Sequence, residues 1–204
     1  MNTATPLSPG RIAGPSAWWI VIAGVVGLLA SLTLTAEKVK YLSDKSYVPS
    51  CNVNPILSCG SVMTTPQASL FGLPNSLLGI VAFTVVVVSG VLAVAKVVLP
   101  QWYWVSFTAG LLVGVVFVHW LIVQSLYLIG ALCPYCMVVW VVTVSLFVVV
   151  ASIALRPMLQ NRESGVWAGV GTLYRWRWSI TTLWFTAMFL LIVARFWSYW
   201  STLF

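Results

Sequence analysis

Acidic side chains are scarce: three Asp and Glu (Glu37, Asp44 and Glu163) stand against ten Lys and Arg, and the chain holds one histidine, His119. Paired-carboxylate acid/base chemistry and carboxylate proton relays therefore have almost nothing to work with. Charge of either sign makes up only 6% of the 204 residues, and none lies between Lys45 and Lys96 or between Lys96 and Arg156. No water-soluble fold covers itself with such stretches. With 61% hydrophobic residues and a mean hydropathy of +1.02, the composition is that of an integral membrane protein. A net charge of +7 would suggest nucleic acid in a soluble protein. Here the cations flank apolar runs, where they set topology, so no nucleic-acid partner is expected. Glycine-rich nucleotide motifs are missing too, which leaves NAD(P) and flavin without a visible seat.

What is present is a series of apolar runs, each near the ~20 residues that cross a bilayer. Five spans are expected: Ala17 to Ala36, Asn75 to Val98, Trp102 to Ile129, Tyr135 to Leu155 and Ser179 to Trp197. The first is too long for a signal-peptide core and reads as an uncleaved helix. The short turn at Pro100 makes the second and third antiparallel neighbours, Arg156 and Pro157 end the fourth, and Arg195 snorkels near the end of the fifth. Counting Lys and Arg beside the spans puts Arg11, Lys96, Arg156, Arg162, Arg175 and Arg177 inside and Lys38, Lys40 and Lys45 outside, hence a cytoplasmic N-terminus. The chain then divides into a cytoplasmic tail (1–16), a four-helix unit (17–155) and an interfacial connection (156–178), followed by the fifth helix with an outer C-terminus at Phe204 (179–204). The connection sets Trp167, Trp176 and Trp178 among arginines. Within the four-helix unit lies an outer loop (37–73). Its residues 46–73 carry no charge, yet Pro49, Pro55, Pro66, Gly60 and Gly72 forbid a span, so they read as a lid with a short helix over Ser61 to Ser69.

Four cysteines are the remaining chemical inventory: Cys51 and Cys59 in the loop, Cys133 and Cys136 in a C-x-x-C that opens the fourth helix. Two pairs on the oxidising side permit relayed dithiol–disulfide exchange. Pro134 fits a first helical turn, leaving Cys133 near the N-cap and Cys136 within that turn. The helix dipole there favours a thiolate while apolar surroundings oppose it. A reactive sulfur at the bilayer boundary is within reach of a lipid-soluble electron carrier, which points to a quinone. The rival readings are thiols that merely pack, and a thiolate zinc or heavy-metal site. The x7 spacing is outside the zinc-knuckle range and no second ligand type is near, so no metal is expected. On the third helix, His119 and Gln124 point about 140° apart and cannot both face one ligand. His119 either delivers a proton to the reduced quinone or hydrogen-bonds a neighbouring helix, and Gln124 with Tyr127 reads as structural.

The run Cys51-Asn-Val-Asn-Pro-Ile-Leu-Ser-Cys59, then Asn75-Ser-Leu-Leu-Gly79, then Cys133-Pro-Tyr-Cys136 resembles the vitamin K epoxide reductase family. The resemblance covers roughly residues 17–155. It implies an all-α membrane fold: a four-helix bundle around a quinone (menaquinone or ubiquinone), capped by the cysteine loop, with a fifth helix added. The implied activity is that of a thiol:quinone oxidoreductase in the inner or plasma membrane. It reoxidises a DsbA-like thioredoxin-fold partner, expected as a separate protein because the chain stops after the fifth helix, and so supports disulfide formation in exported proteins. Reduction of vitamin K epoxide or quinone for its own sake, as in animal members, is the alternative, beside the heavy-metal reading. DsbB-like enzymes carry their C-x-x-C before the second pair, the reverse of the order here. Carried over by motif, Cys136 resembles the sulfur beside the quinone, Cys133 its mate, and Cys51 and Cys59 the shuttle pair. Asn75 resembles a donor to one quinone carbonyl, and Thr65 matches a hydroxyl position on the lid. Trp140 stands where animal enzymes carry a tyrosine for the other carbonyl. The expected relay runs from partner to Cys51, from Cys59 to Cys133, and from Cys136 to quinone.

Overall fold

Each of the five apolar runs forms a helix, because in hydrocarbon every backbone N–H and C=O must be satisfied within its own segment. The computed structural model describes residues 14–44, 46–160 and 166–201. Arg11, Lys45, Arg162, Glu163 and Phe204, on which parts of the topology argument fall, lie outside the described residues, as does the side chain of Trp167. In chain order the helices are α1 (Gly14–Ser43), a short α2 (Cys59–Met63), α3 (Asn75–Val94), α4 (Gln101–Val123), α5 (Pro134–Gln160), α6 (Val166–Arg195) and a short α7 (Trp197–Trp200). Two 3-10 turns, Pro66–Ala68 and Leu70–Gly72, follow α2, and α4 continues as a π-helical turn over Gln124–Ile129. Five of these helices are long and apolar enough to cross a membrane, so the chain is a multi-pass, all-helical membrane protein. Among the described residues there is no strand, only one isolated β-bridge.

Helix ends depart from the expected spans for identifiable reasons. The first helix runs past Ala36 because Glu37 is buried. Its carboxylate accepts from the Tyr47 hydroxyl (3.1 Å), the Ser50 N–H (3.0 Å) and the Ser50 hydroxyl (3.2 Å), joining the helix end to the loop just before Cys51. In contrast, α3 stops short of Val98. Lys96 adopts φ +60°, and the N–H groups of Lys96 and Val97 turn back to the carbonyls of Ala93 (3.1 Å) and Leu92 (3.0 Å), a Schellman closure. The fourth helix outlasts its span: the membrane-crossing stretch ends at Pro157, while α5 passes through Arg156 and Pro157 to Gln160. Nearby, the Gln101 amide donates to the Ala154 carbonyl (2.6 Å), tying the start of α4 to the end of α5. The interfacial connection is helical from Val166, continuous with the fifth span. Arg195 does not simply snorkel, for its Nε donates to the Leu126 carbonyl in the π turn (3.0 Å).

Packing centres on α1, which lies against α3 and α5, while α5 also carries α4. Their shared core includes Ile20, Phe83, Trp104, Leu146 and Val150. Helices α1 and α3 approach closely at Gly90, where an added Cβ would come within 2.8 Å of the Val21 backbone nitrogen. Small residues permit such approach where no hydrophobic drive toward water exclusion operates. Although a short turn joins them, α3 and α4 are not principal packing partners. A turn constrains only the ends it links: the two helices meet there through the hydroxyls of Ser89 and Tyr103 (2.7 Å). At their other ends they form separate walls of the cavity described next.

Candidate thiol and quinone site

The loop between the first two cysteines is shaped by two asparagines. Asn54 Oδ1 accepts from the N–H groups of Ile56 (3.0 Å) and Leu57 (2.7 Å), an Asx turn. Asn52 Oδ1 accepts from the Gly60 N–H (2.9 Å) and the Ser58 hydroxyl (3.2 Å). The loop then pairs with the segment before α5. Leu132 N–H donates to the Ile56 carbonyl (2.7 Å) and Ser58 N–H to the Leu132 carbonyl (2.9 Å), making a parallel bridge of Leu57 with Leu132. Leu132 is only 1% exposed, so water does not compete for these bonds. The register of the bridge sets Cys59 beside Cys133, with their Sγ atoms 3.0 Å apart.

Cys51 and Cys59 are joined in a disulfide, while Cys133 and Cys136 are free thiols. Cys51 is 5% exposed, Cys59 0% and Cys133 1%, packed with Met63 in a sulfur-rich cluster. Cys51, from which the expected relay starts, is therefore buried. Cys133 precedes the span, and its thiol is held below the ordinary cysteine value. The main cause is a hydrogen bond from the Cys136 thiol, helped by the Cys136 and Tyr135 N–H groups and opposed by burial. This arrangement presents a sulfur able to act as a thiolate at contact distance from one sulfur of a disulfide, which is the geometry of thiol–disulfide exchange.

Beside the sulfurs is a mainly apolar cavity of about 60 Å³, bounded by the end of α1, the lid, the start of α3, the end of α4 and both C-x-x-C cysteines. Small-molecule sites usually measure roughly 300 Å³ or more, so the cavity as it stands is smaller than such a site. The lid is fastened at two places. Lys38 Nζ donates to the Ser69 hydroxyl (2.8 Å). Asn75 Nδ2 donates to the Gln67 carbonyl (2.7 Å), and its Oδ1 accepts from the Leu70 N–H (3.0 Å). The expected Ser61 to Ser69 helix is instead α2, a break at Thr64 and Thr65, and the two 3-10 turns. Pro66 has no N–H to continue a helix. Thr65 lines the cavity while its hydroxyl donates to the Val62 carbonyl (2.8 Å).

The remaining motif residues divide. In Asn75-Ser-Leu-Leu-Gly79, Asn75 straps the lid, Ser76 accepts a hydrogen bond from the Thr35 hydroxyl (2.8 Å), and Gly79 faces Ser31 on α1. Trp140 is 3% exposed and packs with Val118, Ile122, Leu132 and Phe196, outside the cavity lining. Its Nε1 has no hydrogen-bond partner among the described residues. His119 also points away from the cavity. Its Nε2 accepts from Trp184 Nε1 on α6 (3.0 Å), so Nδ1 carries the proton and donates to the Val115 carbonyl (2.7 Å). Gln124, read as structural, lines the cavity together with Ser125. Helical spacing separated it from His119 correctly, but a uniform α-helical wheel gave no sign of the π turn in which it sits. Lys38, counted from sequence only as a topological charge, is another cavity residue.

The model of the vitamin K epoxide reductase family matches residues 18–151, which include all four cysteines, the lid, helices α3 and α4 and most of α5. No curated protein shows a significant match to the chain.

Proposed function

The chain belongs to the vitamin K epoxide reductase family of membrane oxidoreductases, and we propose that it is a thiol:quinone oxidoreductase that reoxidises a DsbA-like, thioredoxin-fold protein. The observation that carries this reading is the 3.0 Å contact between Cys59, in the loop disulfide, and Cys133 of the free pair. In the forward direction one thiolate of the partner attacks Cys51, and Cys59 leaves as a thiolate. The partner's second thiolate then displaces Cys51, so the partner holds a new disulfide and the loop both electrons. Cys59 attacks Cys133 of a Cys133–Cys136 disulfide, releasing Cys136. Cys51 next attacks Cys59, re-forming the loop disulfide and freeing Cys133. The C-x-x-C pair is then a dithiol, the arrangement seen here.

A bound quinone, menaquinone or ubiquinone, would accept two electrons and two protons, as the Cys133 and Cys136 thiols become a disulfide. The donor set suits such a ring: an apolar chamber with Cys136 on α5 and amides on α3 and α4. Asn75 keeps one amide N–H beyond its lid bonds for a carbonyl. A strongly oxidising thioredoxin-fold partner has a potential of about −120 mV, and each 30 mV downhill adds about 1.4 kcal/mol for two electrons, which favours a quinone as acceptor.

The test is purified protein with reduced partner and a short-chain quinone, followed by quinone absorbance. Quinone should be consumed one-for-one with partner disulfide formed. Consumption without any need for a thioredoxin-fold partner, or turnover of vitamin K epoxide in its place, would replace this reading with the vitamin K reductase one.

The same reading requires the cysteine-bearing end to be extracytoplasmic, as the Lys/Arg asymmetry favours. A topology reporter fused after Phe204 should be active only outside the cytoplasm. Activity confined to the cytoplasm would remove the fifth span or reverse the orientation, and reversal would take the oxidising compartment from the mechanism.

A further inference from the structure

We propose that Gln124 is the second quinone-binding amide, its side-chain N–H donating to the carbonyl opposite the one nearest Asn75. The inference rests on the thiol:quinone reading above and deepens it. A quinone ring carries two carbonyls at opposite ends, and each one buried without a donor weakens binding. Several polar groups on the cavity wall already have a partner: the Thr65 hydroxyl donates to the Val62 carbonyl, Lys38 donates to Ser69, Ser76 accepts from Thr35, and Asn75 holds the lid on two of its positions, whereas the side chains of Gln67, Gln124 and Ser125 have none among the described residues. The Gln124 side chain has no hydrogen-bond partner among the described residues, while its backbone N–H is taken by the Leu121 and Trp120 carbonyls, and the residue lines the same cavity. The other unengaged amide, Gln67, belongs to the lid beside Asn75, which its own carbonyl accepts from, and so serves the same end of a ring. Gln124 comes from the α4 wall.

Two features hold that placement. Gln124 opens the π turn, which breaks the 100° progression of side chains along α4, and π turns recur at functional sites. The turn is closed by the Gly130 N–H on the Ser125 carbonyl (3.0 Å) and held from outside by Arg195 of α6 on the Leu126 carbonyl (3.0 Å). Trp140 does not supply the missing donor, because its buried indole N–H lies outside the cavity lining.

The experiment uses the full chain as a Cys136→Ala variant, so that bound quinone stays oxidised, with a short-chain ubiquinone and a naphthoquinone each 13C-labelled at one carbonyl. Affinity is read by titration and carbonyl bonding by infrared difference spectra. Gln124→Leu should weaken binding about tenfold and return one C=O stretch to its unbonded frequency. Asn75→Ala should move the other stretch, and Gln67→Leu neither. Gln124→Asn, which keeps a donor, should hold the bonded frequency at least in part. Affinity and both stretches unchanged in Gln124→Leu, with Cys59–Cys133 exchange intact as the sign of a folded site, would overturn the assignment while leaving the oxidoreductase reading in place. Failure of the parent Cys136→Ala chain to bind either quinone would overturn both.

Discussion

Replacing Cys136 with alanine should abolish quinone reduction, a fall of at least about a thousandfold, whereas Asn75→Ala should leave a slow but measurable rate. The difference follows from role. Cys136 is the free thiol of the C-x-x-C pair that lines the cavity together with Cys133, and its loss removes one of the two sulfurs that must become a disulfide. Without it, two electrons have no source. Asn75 contributes one hydrogen bond to a neutral carbonyl, ordinarily about 1 kcal/mol, but it also fastens the lid through Gln67 and Leu70. Releasing those two bonds as well should bring the total to about 2–3 kcal/mol, or roughly 30- to 150-fold in rate. Initial rates of quinone bleaching with reduced partner measure both. Thiol trapping of the Cys136→Ala chain should still show the partner passing its electrons to the loop disulfide. Complete loss from Asn75→Ala, with a correctly oxidised loop, would mean that this amide does more than bind and strap.

The spans were legible because a bilayer imposes a length and a composition that no other environment demands, and their number follows from the uncharged runs flanking Lys96 together with the apolar runs near each end of the chain. Their ends were less so. Lys96 occupies a left-handed position usually given to glycine, and α5 runs through Pro157, so the local signals of stop and continue are both inverted. The chemistry of four cysteines was readable from type and spacing. Their juxtaposition depends on the pairing of Leu57 with Leu132, two apolar residues in irregular segments that carry no pattern a reader could use. The place of Gln124 in the cavity lining was hidden for a similar reason, since a helical wheel presumes the α-helical period that the π turn abandons. Trp140 and His119 show the converse. Polar atoms in apolar helices attract functional readings, but His119 is satisfied by α6, and Trp140 is buried in a separate cluster.

The order of the relay gives the other large effect: Cys51→Ser should accumulate a covalent Cys59–Cys133 disulfide in most of the isolated chain, where the parent chain shows the Cys51–Cys59 bond. Loss of its loop mate leaves Cys59 as a thiol, and the Leu57–Leu132 bridge holds it 3.0 Å from Cys133. When quinone reoxidises the C-x-x-C pair, Cys59 attacks Cys133 and Cys136 leaves. No Cys51 thiolate remains to resolve the product, so the mixed disulfide persists. The reciprocal experiment uses a partner with a single active-site cysteine, which should be captured on Cys51. Cys51 is 5% exposed and the backbone just before it is held by Glu37, so capture requires the segment Tyr47 to Asn52 to lift, while Cys59, fully buried beneath, stays protected. Glu37→Gln, which weakens that anchorage while keeping shape, should therefore speed capture on Cys51 without redirecting it. Peptide mapping under non-reducing conditions distinguishes the bonds. A partner trapped on Cys59 or Cys133 with Cys51 free would invert the relay, because it would show that the loop opens from the buried sulfur first.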